Sequence, residues 1–348
     1  MTKVDVYEQA KNIGRALNIG NALDAPYEGA WDIVIQEEYF KLIKEKGFDS
    51  IRVPIRFSNK TTTEAPYTID ENFMLRVDWV IEQSLLQELN VIVDLHHFDE
   101  LIADPIGNKE RFLSIWDQIS SRYSNQPSNV YYEVLNEPHS TISSKMWNEY
   151  LLEAIDTIRQ HDPDRTLIIG GTDWNSINGL YQLELPEEDR NIIATIHYYG
   201  PMFFTHQGAE WMEPEYGTKG LVWPGPPPVP VEPVEAAQKV DWVNNFFKNY
   251  NTKTGADNPA SEEALVRDLE RAAKWGEIHD RPIFLGEFGV YSSADMESRA
   301  AWTKKVRTEA ERLGMPWAYW EFAAGFGVYN RASSSWNEKL VDALLSNP

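Results

Sequence analysis

Strand-like apolar runs and helix-period segments alternate eight times along this chain, and no other feature restricts its fold as much. The runs are residues 15–18, 50–55, 91–95, 130–135, 167–170, 192–196, 282–285 and 317–320. Helical periodicity follows them at 34–46, 70–89, about 109–123, 146–160, weakly near Leu180, then 262–279, 294–313 and 338–345. A strand joined to the next through a helix makes a parallel pair, and eight such units close on themselves far more readily than they form an open sheet. The expectation is an α/β chain folded as a single (β/α)8 barrel over residues 1–348.

One segment breaks the rhythm. Residues 200–260 connect the sixth strand to its helix and include a proline-rich stretch at 224–233. Strand–helix units stand on both sides of it, so a rim loop is expected rather than a linker between domains. Long ordered loops inside compact domains usually serve function.

Composition excludes several partners. A net charge of −22 opposes nucleic acid, anionic membrane surfaces and polyanionic substrates, which leaves neutral ligands. With no cysteine, thiolate metal sites and disulfides are impossible. The opening residues, Met1 to Tyr7, carry no apolar stretch, so no signal peptide is expected and the compartment stays unassigned. The chain has 13 Trp, 16 Tyr and 14 Phe. Most belong to the core, but those in loops beside strand ends are candidate platforms for the apolar faces of sugars.

Catalytic groups on such a barrel sit at the C-terminal ends of its strands. There the chain places Arg52, the run Asp94-Leu95-His96-His97, Asn136-Glu137-Pro138-His139, His197-Tyr198-Tyr199, Gly286-Glu287-Phe288 and Tyr319-Trp320-Glu321. One ionisable residue at a strand end is more often structural than catalytic; six polar or aromatic ends are hard to explain that way. Glu137 and Glu287 follow strands four and seven, positions from which two carboxyls can approach to about 5–5.5 Å, the spacing of retaining glycosidases. A neighbouring negative charge is expected to raise the pKa of the acid. His197 and Tyr199, two apart, are placed to hold the two carboxylates, and Arg52 is expected to keep Glu287 ionised. The adjacent His96 and His97 are expected to point to opposite sides, which suits separate hydrogen bonds better than one metal ion. No metal and no cofactor are expected.

Taken in order, Arg52-Val53-Pro54, Asn136-Glu137-Pro138, His197-x-Tyr199 and Leu285-Gly286-Glu287-Phe288-Gly289 resemble glycoside hydrolase family five, a family of TIM barrels with glutamates after strands four and seven. The likeness runs from about Gly14 to Asn330. The Phe-Thr-His-Gln-Gly-Ala-Glu-Trp run at 204–211 is similar to bacterial endoglucanases and mannan-active enzymes. The resemblance implies Glu137 as acid/base and Glu287 as nucleophile. It implies Asn136 at the sugar 2-hydroxyl, Arg52, His96, His197 and Tyr199 in support, and Trp320 under the sugar ring. His97, Asn21, Trp174, His206 and Trp211 are further substrate-binding candidates. Where the subgroup often has Asn-Ala-Leu-Glu-Ala-Pro, this chain has Asp24, one methylene shorter.

The expected function is retaining endo-hydrolysis of cellulose-type or mixed-linkage β-1,4-glucan, by a monomer acting on a β-linked polysaccharide or oligosaccharide. The alternatives are a β-1,4-mannanase, an enzyme acting on both, and, more remotely, a noncatalytic carbohydrate-binding barrel.

Overall fold

The computed structural model describes residues 5–346. Eight parallel strands close into a barrel in sequence order: β1 (Arg15–Asn18), β2 (Ser50–Ile55), β3 (Asn90–Leu95), β4 (Val130–Glu133), β5 (Leu167–Gly170), β6 (Ile192–His197), β7 (Ile283–Phe288) and β8 (Trp317–Tyr319). Registers such as Ser50↔Asn90 through Ile55↔Leu95 tie neighbours together. The ring is completed at its lower end by Ala194 N–H to Pro282 C=O, Leu285 N–H to Pro316 C=O and Trp317 N–H to Gly14 C=O. Strand boundaries agree with the sequence expectation to within a few residues. The largest change is at β7, which runs on through Glu287 to Phe288.

Two compact units share the chain. The first spans Met1–His197, Lys274–Gly286 and Met315–Ala318; the second spans Tyr198–Ala273, Glu287–Gly314 and Tyr319–Pro348.

In the first unit, strand periodicity builds the barrel interior. Ala16, Ile92, Tyr131, Ile168, Ile193, Phe284 and Ala318 form one buried apolar cluster. Two residues further along the same strands stand Asn18, Asp94, Glu133, Gly170, Thr195 and Gly286. Residues i and i+2 share a face of a strand, so the apolar floor is followed by a polar tier. Against the floor packs a helix that sequence periodicity missed, Val6–Ile13, through Val6, Ala10 and Ile13. Asp5 caps it by accepting from Tyr7 and Glu8 N–H. Gly14 ends it at φ +57°, where a Cβ would lie 2.4 Å from an Asp49 oxygen. Only glycine fits that turn.

The surrounding helices show ordinary helical burial. In Pro105–Tyr123, Phe112, Ile115, Trp116, Ile119 and Tyr123 face inward at three- and four-residue intervals, with Pro105 in the first turn and Asp104 as cap. Among the described residues no helix is long and apolar enough to cross a membrane.

The second unit holds the long connection after β6, which is not irregular throughout. It contains a short helix, Met202–Thr205, and a twelve-residue helix, Asp241–Thr252, whose Val243, Phe247 and Tyr250 are buried. Tyr250 holds the proline-rich segment by exchanging hydrogen bonds with the Val222 backbone. Trp223 is buried and packs rather than facing solvent. After β8 a small antiparallel hairpin pairs Tyr329–Asn330 with Ser335–Trp336 ahead of the helix Glu338–Leu345.

Candidate active site

The polar tier of the first unit is organised by one cation. Arg52 is fully buried and grips Glu133 with both arms, Nε to Oε2 at 2.7 Å and Nη2 to Oε1 at 2.7 Å. It also donates to Asn18 at 2.9 Å and Asn136 at 2.8 Å, and its Nη2 lies 3.1 Å from Asp94. On sequence alone, Arg52 is expected to end β2 and to serve Glu287. It lies instead in the middle of β2, and its two-pronged partner is Glu133, a residue that reads as strand interior. Burial pushes the Glu133 carboxyl upward while Arg52 opposes it, and burial takes Asp94 up to about 7. Asp94 in turn meets His96 Nδ1 at 2.5 Å, and burial holds His96 well below the usual imidazole range.

Glu137 lies on the loop beyond β4, with its backbone in the left-handed region at φ +47°. Its side chain keeps 26% of its surface open, and its Oε1 meets His197 Nδ1 at 2.6 Å. The other ring nitrogen, Nε2, lies 3.4 Å from the Asn175 amide nitrogen, which can only donate. Nδ1 therefore carries the proton when the ring is neutral, and it donates to Glu137. Burial raises the Glu137 carboxyl to about 7, against the opposing pull of Arg52 and His139; the added push from Glu133 is the smallest of these effects. Burial, rather than a neighbouring charge, is the main cause. Asn136 spends its Oδ1 on Arg52, which leaves its NH2 as donor for a hydroxyl. A Cβ at Gly286 would sit 2.8 Å from Thr195 Oγ1 and 3.2 Å from His197 Nε2, so that glycine makes room for the imidazole.

The loop after β1 brings a different group. Asn21 sits at φ +63°, and the N–H groups of Asn21 and Ala22 both donate to Asp24, at 3.0 and 2.7 Å. The short side chain thus caps its own loop, and burial lifts it to about 6. His97 corrects a second expectation. Its left-handed φ of +49° breaks strand alternation, so its ring meets that of His96 at 4.4 Å and 82° instead of facing away. Asp24, His96 and His97 each offer a ligand atom within 4.8 Å of the others, a set with the donors for a divalent ion. The same atoms are donors and acceptors for hydroxyls. Trp31 stands edge-on to His97 at 5.9 Å.

Trp174 is half exposed, in a run of three left-handed residues, Asp173 to Asn175, and it lies flat on His139 at 4.7 Å and 16°. Neither the run nor the stack is visible in local sequence.

In the second unit Glu287 is buried, and its Oε2 accepts from the Tyr199 hydroxyl at 2.9 Å. Its backbone C=O accepts from Tyr198 N–H. Tyr199 packs edge-on against His206 at 4.8 Å and Phe326 at 6.2 Å. Thr205 fastens this stretch by donating to the Tyr199 carbonyl. Burial lowers His206 to about 4, so it is a neutral donor or acceptor. Trp211 is 60% exposed and edge-on to Tyr291 at 4.9 Å. Trp320, half-buried, follows directly on β8, with its N–H on the Phe288 carbonyl.

Comparison with known proteins identifies the family. Residues 20–325 match the model of the family described as Cellulase (glycosyl hydrolase family 5). The chain belongs to that family. It is a glycoside hydrolase of the cellulase type. It is 31% identical to Endoglucanase H of Acetivibrio thermocellus over 99% of its own length, though it spans only 34% of that larger protein. With Endoglucanase C of the same organism it shares 29% identity, covering 90% of this chain and 92% of the relative. Cel5A of Thermotoga maritima, solved with cellobiose, superposes with a TM-score of 0.87 at 40% identity, covering 98% of this chain and all of that one. The same enzyme solved with mannotriose gives 0.86 at 40%.

Proposed function

We propose that this cellulase-family chain is a retaining endo-β-1,4-glucanase, with Glu287 as nucleophile and Glu137 as acid/base. One observation carries the reading: a single short stretch of chain holds both carboxyls, His197 on Glu137 and Tyr199 on Glu287. Glu287 attacks the anomeric carbon while Glu137 delivers its proton to the departing glycosidic oxygen. Glu137, now ionised, takes a proton from water as that water displaces Glu287 from the sugar. His197 donates to one Glu137 oxygen throughout, which leaves the other to carry the travelling proton. Asn136 offers its NH2 to the 2-hydroxyl, and Trp320, Trp174 and Trp211 supply apolar faces for sugar rings.

The pH dependence follows from the raised acid. Glu137 is protonated below about 7, and protonation is what its first step needs. On soluble glucan, kcat/KM is expected to hold on the acidic side and fall as pH rises through about 7. In Glu137→Ala, assayed on an aryl glycoside whose leaving group departs without a proton, that limb should be absent. A limb near the ordinary glutamate range would mean that another group is the acid.

Mannan hydrolysis is the second reading, favoured by the mannotriose complex of the Thermotoga relative. Glucose and mannose differ at the 2-hydroxyl, where a few polar contacts decide. Reducing-sugar release from carboxymethylcellulose, barley β-glucan, galactomannan and xylan at equal enzyme concentration separates the two. Release led by the glucans is expected. Release led by galactomannan would reassign the substrate, and none from any of the four would sink the reading.

A further inference from the structure

We infer that His139, which stands outside the reacting groups, is a positioning residue that ties the acid/base to an aromatic sugar platform. The inference rests on the reading of Glu137 as acid/base. His139 Nδ1 lies 2.6 Å from the backbone carbonyl of Glu137. A carbonyl only accepts, so Nδ1 carries a proton and donates. The residue it holds is in the left-handed region, a conformation that is unfavourable for a non-glycine residue and persists only where neighbours fix it. Pro138 restricts the backbone of the residue before it, and the imidazole fastens the carbonyl of that same Glu137–Pro138 peptide unit.

The opposite use of the ring is its face. It lies under Trp174 at 4.7 Å and 16°, and Trp174 is half exposed in a run of three left-handed residues. One imidazole thus sets two things at once: through its edge the direction from which Glu137 presents its carboxyl, and through its face the height and tilt of Trp174. A glucan ring seated against Trp174 is thereby held in register with the acid that cleaves it.

The two contacts can be removed separately. His139→Phe keeps a flat ring beneath Trp174 and deletes the donor to Glu137. His139→Asn keeps a donor at nearly the Nδ1 position and deletes the ring. With a soluble cello-oligosaccharide, His139→Phe is expected to lower kcat by roughly 10- to 100-fold, the scale of a misplaced catalytic group, with KM within about twofold. His139→Asn is expected to raise KM by about 2- to 10-fold, the worth of one lost aromatic contact, with kcat held closer to the parent. Thermal unfolding of each variant shows whether it is folded. Equal changes in both constants for both variants, or no change in either, would overturn the inference. Glu137→Gln, assayed alongside, keeps the two readings apart. If it stays active, the assignment of Glu137 fails. If it is inactive while both His139 variants behave as the parent, only the role of His139 fails.

Discussion

Glu287→Gln is expected to remain folded and to lose turnover of β-glucan by roughly 10⁴-fold or more, because an amide cannot form the glycosyl ester. Folding should survive, since glutamine keeps the shape and an oxygen to accept from Tyr199. Glu137→Gln should lose polysaccharide turnover on a similar scale. The two roles then separate by stereochemistry. In Glu137→Ala, an aryl glycoside with an acidic leaving group still forms the intermediate on Glu287, since that group departs without a proton. Added azide then attacks from the face that water uses and gives the β-glycosyl azide. In Glu287→Ala, azide enters the space left by the nucleophile and gives the α-anomer. Chromatography of the products against the two standards reads the result. The same anomer from both variants would refute the assignment, as would near-parental activity in either glutamine variant.

Arg52→Met is expected to cause the largest loss of stability of any single substitution in the polar tier. Glu133 and Asp94 are buried around the guanidinium, and removing one partner of a buried ionic group leaves the others uncompensated. Such losses run to about 3–5 kcal/mol. The sign of the pH dependence is fixed by the carboxyls. Asp94 and Glu133 already have folded pKa values raised by burial, and without Arg52 these would rise further. A carboxyl whose folded pKa lies above its unfolded value weakens the fold increasingly as pH rises through that interval. The melting-temperature difference between Arg52→Met and the parent should therefore widen from pH 5 to pH 8. Glu133→Gln in the same chain should recover part of it, because one stranded charge is gone. A difference that is small, or that narrows with rising pH, would show that the arginine is not what keeps these carboxylates inside.

The strands were legible in the chain because each is a short apolar run between helical periods, and strands deep in a parallel barrel carry that pattern locally. Glu137 and Glu287 were legible for a related reason. Both stand just at or beyond such runs, beside residues whose order matches a known family. The helix Asp241–Thr252 was obscured by the prolines before it. The helix Val6–Ile13 was missed because its apolar face has meaning only against the barrel floor it covers.

Side-chain partnership is a different matter. Nothing near Arg52 in sequence indicates that its fork closes on Glu133, 81 residues away, because that pairing arises when β2 and β4 turn alternate residues into one interior. Nor does local sequence indicate that His97 turns back onto His96 or that Trp174 lies on His139. Those contacts depend on left-handed residues whose conformation is imposed by their surroundings. The sequence by itself determined the number and order of strands and the two carboxyls at their ends, since periodicity and residue type are local properties. Only the tertiary structure decided which charge neutralises which, which carboxyl burial holds near neutrality, and which rings stack, because those are set by distances between residues far apart in the chain.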